Sequence, residues 1–99
     1  MTQTLKMTEE QLSKAVHDCA LVFGWKCYHT YDSRRSQPGF PDWVMVRDRV
    51  LFVELKSETG RLSIPQQDWL FALGEANAER YVWFPYHWEN GEIEAVLRG

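Results

Sequence analysis

Two apolar, β-rich runs, Asp42 to Val46 and Val50 to Lys56, are separated only by Arg47-Asp48-Arg49, and this spacing constrains the chain more than any other feature. So short a link between two such runs reads as a β-hairpin, although three residues without glycine make a less specific turn than Asn-Gly would. In a hairpin the start of one strand lies opposite the end of its partner, which puts Asp42 beside Glu54 and Lys56. Side chains alternate faces along a strand, so Glu54 and Lys56 point the same way, roughly 6 to 7 Å apart. The plainer explanation of an acid and an amine there is a strand end fraying into solvent. Asp42 argues against it, because three charged residues then converge on one sheet edge.

Two carboxylates at such an edge repel each other unless a cation sits between them. Hard oxygen ligands of this kind suit Mg²⁺ or Mn²⁺. A lysine beside the ion can hold an attacking water or stabilise charge on a phosphate oxygen. Together these parts fit phosphodiester hydrolysis.

The flanking segments supply a scaffold. Thr8 and Gln11 form a capping box, Leu12, Val16, Cys19 and Phe23 recur at helical spacing, and Gly24 supplies a stop. This predicts an amphipathic helix from about Glu9 to Phe23. Trp25 to Tyr31 reads as a strand, and Asp32 to Pro41 as a polar loop. Ser63 and Gln66 form a second capping box, with Pro65 tolerated in the first turn of a helix that carries Trp69, Leu70 and Leu73 and fades near Asn77. Tyr81 to Tyr86 reads as a last strand and Asn90-Gly91 as a turn, while Glu92 to Leu97 fits a short helix or a strand equally. The order is α-β-β-β-α-β, a two-layer α/β arrangement.

At 99 residues the chain suits one domain spanning 1–99. Five tryptophans either fill the core with large pieces or cover a partner, with core the better account and self-association the alternative. The formal charge of -3 provides no bulk positive field for nucleic acid, but carboxylates at a metal site contribute to it and are neutralised by the ion. Cys19 and Cys27 lack CxxC spacing and follow no signal-peptide pattern, so reduced thiols in a cytoplasmic protein are expected. No apolar run reaches membrane-spanning length, which predicts a soluble protein without a membrane partner.

Pro41-Asp42, eleven further residues and then Glu54-Leu55-Lys56 resembles the PD-(D/E)xK nuclease superfamily. The wider stretch from Gly39-Phe40-Pro41-Asp42 through Phe52-Val53-Glu54-Leu55-Lys56 to Gly60-Arg61-Leu62 and Gln66 is similar to its VRR-Nuc branch, over about Glu9 to Trp83. The resemblance implies a restriction-endonuclease-like core, a mixed β-sheet flanked by helices. It also implies a divalent-metal nuclease acting on DNA, in which the main-chain carbonyl of Leu55 adds a metal ligand to Asp42 and Glu54. Small stand-alone members, often viral or bacterial, are similar to Holliday-junction resolvases and work as homodimers.

The family pattern includes a glutamate on the first helix and a glutamine beyond the ExK strand. Glu9 and Glu10 compete for the first role. Glu9 lies on the core-facing stripe with Leu12 and Val16, whereas Glu10 is rotated roughly 100° towards solvent, which favours Glu9. Both also suit a helix N-terminus on electrostatic grounds alone. Gln66 matches the glutamine and completes the capping box with Ser63, and the two roles can coexist. Arg34, Arg35 and Arg61 sit in the loops flanking the site, placed to contact phosphates without reading bases. His29, near the first loop, is weighed as a proton carrier and read as structural; His17 and His87 have no partners at metal-ligand spacing. Two rival readings keep the same fold: a non-catalytic nucleic-acid-binding module, and a nuclease subunit active only in a larger complex.

Overall fold

The computed structural model describes residues 6–31 and 37–99. Thr8 opens α1 (Glu9–Val22) through the expected capping box: its hydroxyl accepts the Gln11 amide at 3.0 Å, and the Gln11 side chain accepts the Thr8 amide at 2.9 Å. Leu12, Val16 and Ala20 form the buried stripe, with Cys19 and Phe23 at its margin. After α1 come β1 (Lys26–His29), β2 (Trp43–Val46), β3 (Val50–Leu55), α2 (Ile64–Glu75), β4 (Glu79–Trp83), α3 (Pro85–Glu89) and α4 (Glu92–Arg98).

The four strands lie in sequence order, with β1, β2 and β3 antiparallel and β4 parallel to β3. This mixed pairing follows from the connections. Three residues join β2 to β3, whereas a parallel neighbour needs a crossover, and α2 is that crossover. The glycine-free hairpin is tied down by tertiary contacts. Arg47 stacks over Trp25 at 4.4 Å and donates to the carbonyls of Phe23 and Leu97, while Arg49 donates to Glu79 at 3.0 Å and to the Val96 carbonyl at 2.8 Å.

Helices cover both faces of the sheet, which corrects the two-layer expectation. Leu51, Val53 and Leu55 point to one face and pack with α1 and with Ile93 and Leu97 of α4. Phe52 and Glu54 point to the other, where Phe40 bridges Phe52 and Trp69 of α2 at ring separations of 6.0 and 5.1 Å. Periodicity and capping signals identified α1 and α2 but carry no information on which face a crossover chooses.

The last predicted strand stops at Trp83, not Tyr86. Phe84 is extended and caps α3, and Pro85, with its backbone preset for a first helical turn, starts the helix. The undecided segment from Glu92 is α4, entered through Gly91 at φ 84°. Ile93 and Leu97 are both fully buried, and the Leu97 carbonyl accepts the Trp25 indole N–H at 2.8 Å. Trp25 therefore sits before β1, as an anchor for the C-terminal helix.

Candidate active site

The strand register carries Asp42 to Glu54. Trp43 pairs with Val53 and His29 with Trp43, while Glu54 pairs with Val82, so one further step aligns Thr30, Asp42, Glu54 and Val82 across the sheet. The Thr30 amide donates to the Asp42 carbonyl at 2.8 Å. Asp42 Oδ2 accepts the Leu55 amide at 2.7 Å, which holds the carboxylate against the end of β3. Thr30 was not singled out from the sequence; its only signal was its place in the strand register.

Glu54 is the buried charged side chain of the described residues, at 2% exposure. Burial raises its pKa most, and the neighbouring Asp42 charge, a hydrogen bond with Asp42 and the more distant Glu9 add to this; Lys56 opposes it. The result is a carboxyl pushed up to about 9. Glu9, at the first turn of α1, is also held above its ordinary value, by burial and then by Asp42, again opposed by Lys56. Asp42, Glu54, Lys56 and Glu9 thus feel one another across one edge of the sheet.

A cleft of about 350 Å³ opens there, lined by Glu9, Glu10, Ser13, His29, Asp42 and Leu55. Helical phase separated Glu9 from Glu10, yet both reach the cleft, because a first turn at the mouth of a cleft exposes more than one face to it. His29 packs on Trp43 and Tyr31 at 4.5 and 4.8 Å, and the Trp43 indole donates to Ser13 at 3.0 Å. These rings fix the wall of the cleft beside Asp42.

Gln66 contacts both Ser63 and Glu54. Its side-chain oxygen accepts the Ser63 amide at 2.8 Å, and its Nε2 donates to the two Glu54 oxygens over 3.4 and 3.5 Å. A capping box accepts Glu as readily as Gln, but a carboxylate has no hydrogen to give Glu54. Gln66→Glu is therefore expected to leave α2 intact by circular dichroism and to lower divalent-ion-dependent activity about tenfold or more, within the range for outer partners of metal ligands. Unchanged activity would reduce Gln66 to a capping residue.

Arg61 is exposed on the loop between β3 and α2. Arg34 and Arg35 lie outside the described residues.

Among the described residues, no group of three or more Asp, Glu, His or Cys side chains is placed to hold a metal by itself. The donor set nevertheless fits a small hard cation. Mg²⁺ commonly takes only one or two carboxylates from protein and keeps water or substrate oxygens for the rest. Asp42 and Glu54 are two such carboxylates held together, with a proton at Glu54 relieving a repulsion that an ion would relieve instead. Among the described residues the Thr30 hydroxyl on the same rung is buried without a hydrogen-bond partner, a further polar group at this edge.

Without metal, the folded protein keeps a proton at Glu54 that the unfolded chain releases near pH 4.5. At this group the folded state therefore binds more protons, and the contribution of Glu54 to stability is fullest below about 4.5 and is lost as pH rises towards 9. Glu54→Gln is expected to flatten that decline and to stabilise the metal-free protein at mildly alkaline pH by about 1–3 kcal/mol, the scale of an imperfectly compensated buried polar group. Urea unfolding of both proteins across this range tests it, and parallel pH profiles would count against it.

Residues 2–83 match the family model for the VRR-NUC domain. A solved structure described as a VRR_NUC domain protein is 15% identical and superposes with a TM-score of 0.64, covering 81% of this chain and 79% of its own. At that identity the likeness speaks for the fold alone. No curated protein matches significantly. The fold of that relative and a family match across most of the chain agree with the motif residues meeting at one sheet edge: the chain belongs to the VRR-NUC family of nucleases.

Proposed function

We propose that this protein is a divalent-metal-dependent DNA endonuclease that hydrolyses phosphodiester bonds, acts as a homodimer and prefers branched DNA, in the manner of a Holliday-junction resolvase. The observation that carries the reading is the convergence of Asp42, buried Glu54 and Lys56 on one sheet edge, with Glu9 facing them. Asp42, Glu54 and the Leu55 carbonyl would hold Mg²⁺ or Mn²⁺, with Glu9 nearby. A bound divalent ion supplies Lewis-acid stabilisation of phosphate charge and a more acidic water.

The chain's own residues do the rest. The Leu55 amide pins Asp42, and Gln66 steadies Glu54, so both carboxylates are preset before substrate arrives. Lys56 stands beside them as a cation that lowers the proton affinity of Glu54 and Glu9, and it orients the nucleophile against the phosphate. Arg61, exposed on the loop between β3 and α2, would contact a phosphate, a role the sequence also suggests for Arg34 and Arg35. No helix of the described residues is long and apolar enough to cross a membrane.

The test is cleavage of a labelled four-way DNA junction beside matched linear duplex, with Mg²⁺, Mn²⁺ or EDTA. Paired, metal-dependent nicks at the junction are expected. Binding without cleavage under any metal would favour a non-catalytic module or a subunit lacking its complex.

A further inference from the structure

β4 ends where the site begins. Leu55 pairs with Trp83 in the parallel ladder, and the next rung is a single hydrogen bond, from the Lys56 amide to the Trp83 carbonyl at 3.0 Å. Beyond that rung β4 leaves the sheet, because Phe84 caps α3 and Pro85 starts it. On the β4 side, the backbone from which Lys56 projects is therefore held by one carbonyl.

That carbonyl belongs to the Trp83–Phe84 peptide, and the N–H of the same planar group donates to His87 Nδ1 at 2.9 Å. The His87 amide in turn donates to the Phe84 carbonyl at 2.9 Å. Local sequence explains the arrangement. Phe84 has no polar side chain with which to cap α3, so only the half of a capping box supplied by the third helical residue can form. Gln11 and Gln66 stand at that position in α1 and α2, and each accepts the N-cap amide in the same way. A histidine there is a different device. A neutral imidazole accepts at one nitrogen only, so the bond from Phe84 places the ring proton on Nε2. Nε2 faces a Glu92 carboxylate oxygen at 3.7 Å, and the other oxygen of Glu92 accepts the Asn90 side-chain amide at 2.9 Å. The His87 ring also packs on Tyr86 at 4.1 Å.

We propose that His87 is a positioning residue for Lys56, acting through the Trp83–Phe84 peptide, with Glu92 favouring the tautomer that makes the bond. A planar peptide cannot turn at one end without turning at the other. Loss of the bond at Phe84 frees the Trp83 carbonyl to tilt, and the Lys56 backbone tilts with it. The catalytic consequence rests on the nuclease reading above: a lysine that orients a nucleophile must be aimed, and a misplacement of about 1 Å caused far from the chemistry can cost 10²-fold.

Nuclear magnetic resonance and cleavage kinetics on the whole chain test it together. In the wild-type protein the His87 ring nitrogens should show the proton on Nε2, with a coupling to the Phe84 amide nitrogen across the hydrogen bond. In His87→Leu the Lys56 amide should exchange with solvent about tenfold faster or more, while the Val53 amide in mid-strand keeps its protection. His87→Gln, which retains an acceptor, should restore Lys56. Cleavage should follow the same order: kcat falls roughly tenfold to a hundredfold in His87→Leu with KM for junction DNA unchanged, and recovers in His87→Gln. A wild-type ring with its proton on Nδ1 would overturn the proposal whatever the variants do. So would β3 amides that all exchange faster together in His87→Leu, the sign of a role in stability alone, or a His87→Gln that fails to restore Lys56. Unchanged kcat in a His87→Leu protein whose Lys56 amide has lost protection would equally overturn it. A clamp seen by exchange in a protein that cleaves nothing, wild type included, leaves the placement of Lys56 standing and removes the nuclease.

Discussion

Alanine at Lys56 is expected to lower metal-dependent cleavage about 10²–10⁴-fold, the scale on which a single charge-stabilising or proton-handling group contributes. The fold should survive, since Lys56 lies past the end of β3 and outside the core cluster. Part of the loss has a second origin. Lys56 is the cation that draws down the proton affinity of both Glu54 and Glu9, so its removal leaves each carboxyl more often protonated and a poorer ligand. The acid limb of the pH–rate profile should therefore move to higher pH in Lys56→Ala. Asp42→Asn is expected to be as inactive but more stable without metal, because it removes a charge that disfavours ionised Glu54. Cleavage retained in both variants would reject the assignment.

Gly39→Ala is expected to destabilise the protein by about 3 kcal/mol or more, as backbone strain and overpacking combine. Gly39 has φ +91°, and a Cβ there would stand 2.7 Å from the Gln66 amide nitrogen and closer still to the Pro65 carbonyl group. These are backbone atoms in the first turn of α2, and they cannot swing aside as a side chain would. The close approach serves the site, because it seats the Gly39-Phe40-Pro41-Asp42 turn directly on the helix start that carries Gln66. The loss should be a large part of the stability of a small domain. Thermal unfolding would register it, and a melting temperature within a degree or two of wild type would show that the turn yields more easily than its geometry indicates.

Most of this fold was legible because short-range rules and tertiary structure agree. Two capping boxes marked the starts of α1 and α2 to the residue, and the hairpin spacing placed Asp42 beside Glu54. What stayed hidden depends on contacts distant in sequence. Nothing local to Glu54 announces that α2 will cover it, so neither its burial nor its retained proton could be read from Val53-Glu54-Leu55. Thr30, Ser13 and Glu10 reach the site or its rung through packing and register, not through any motif. Pro85 was a visible helix start, but the run of aromatics around it reads as strand until Phe84 is seen to cap α3.

The family match ends at residue 83, and every side chain around the cleft precedes that point. Ile93 and Leu97 follow it, yet both are wholly enclosed in the core that seats α1, the helix from which Glu9 reaches the cleft. A fragment cut after Trp83 would thus retain the complete chemical inventory and lose part of the packing that sets α1 in place. For this chain, the stretch that can be recognised and the stretch that must be inherited together for the domain to hold its shape have different lengths.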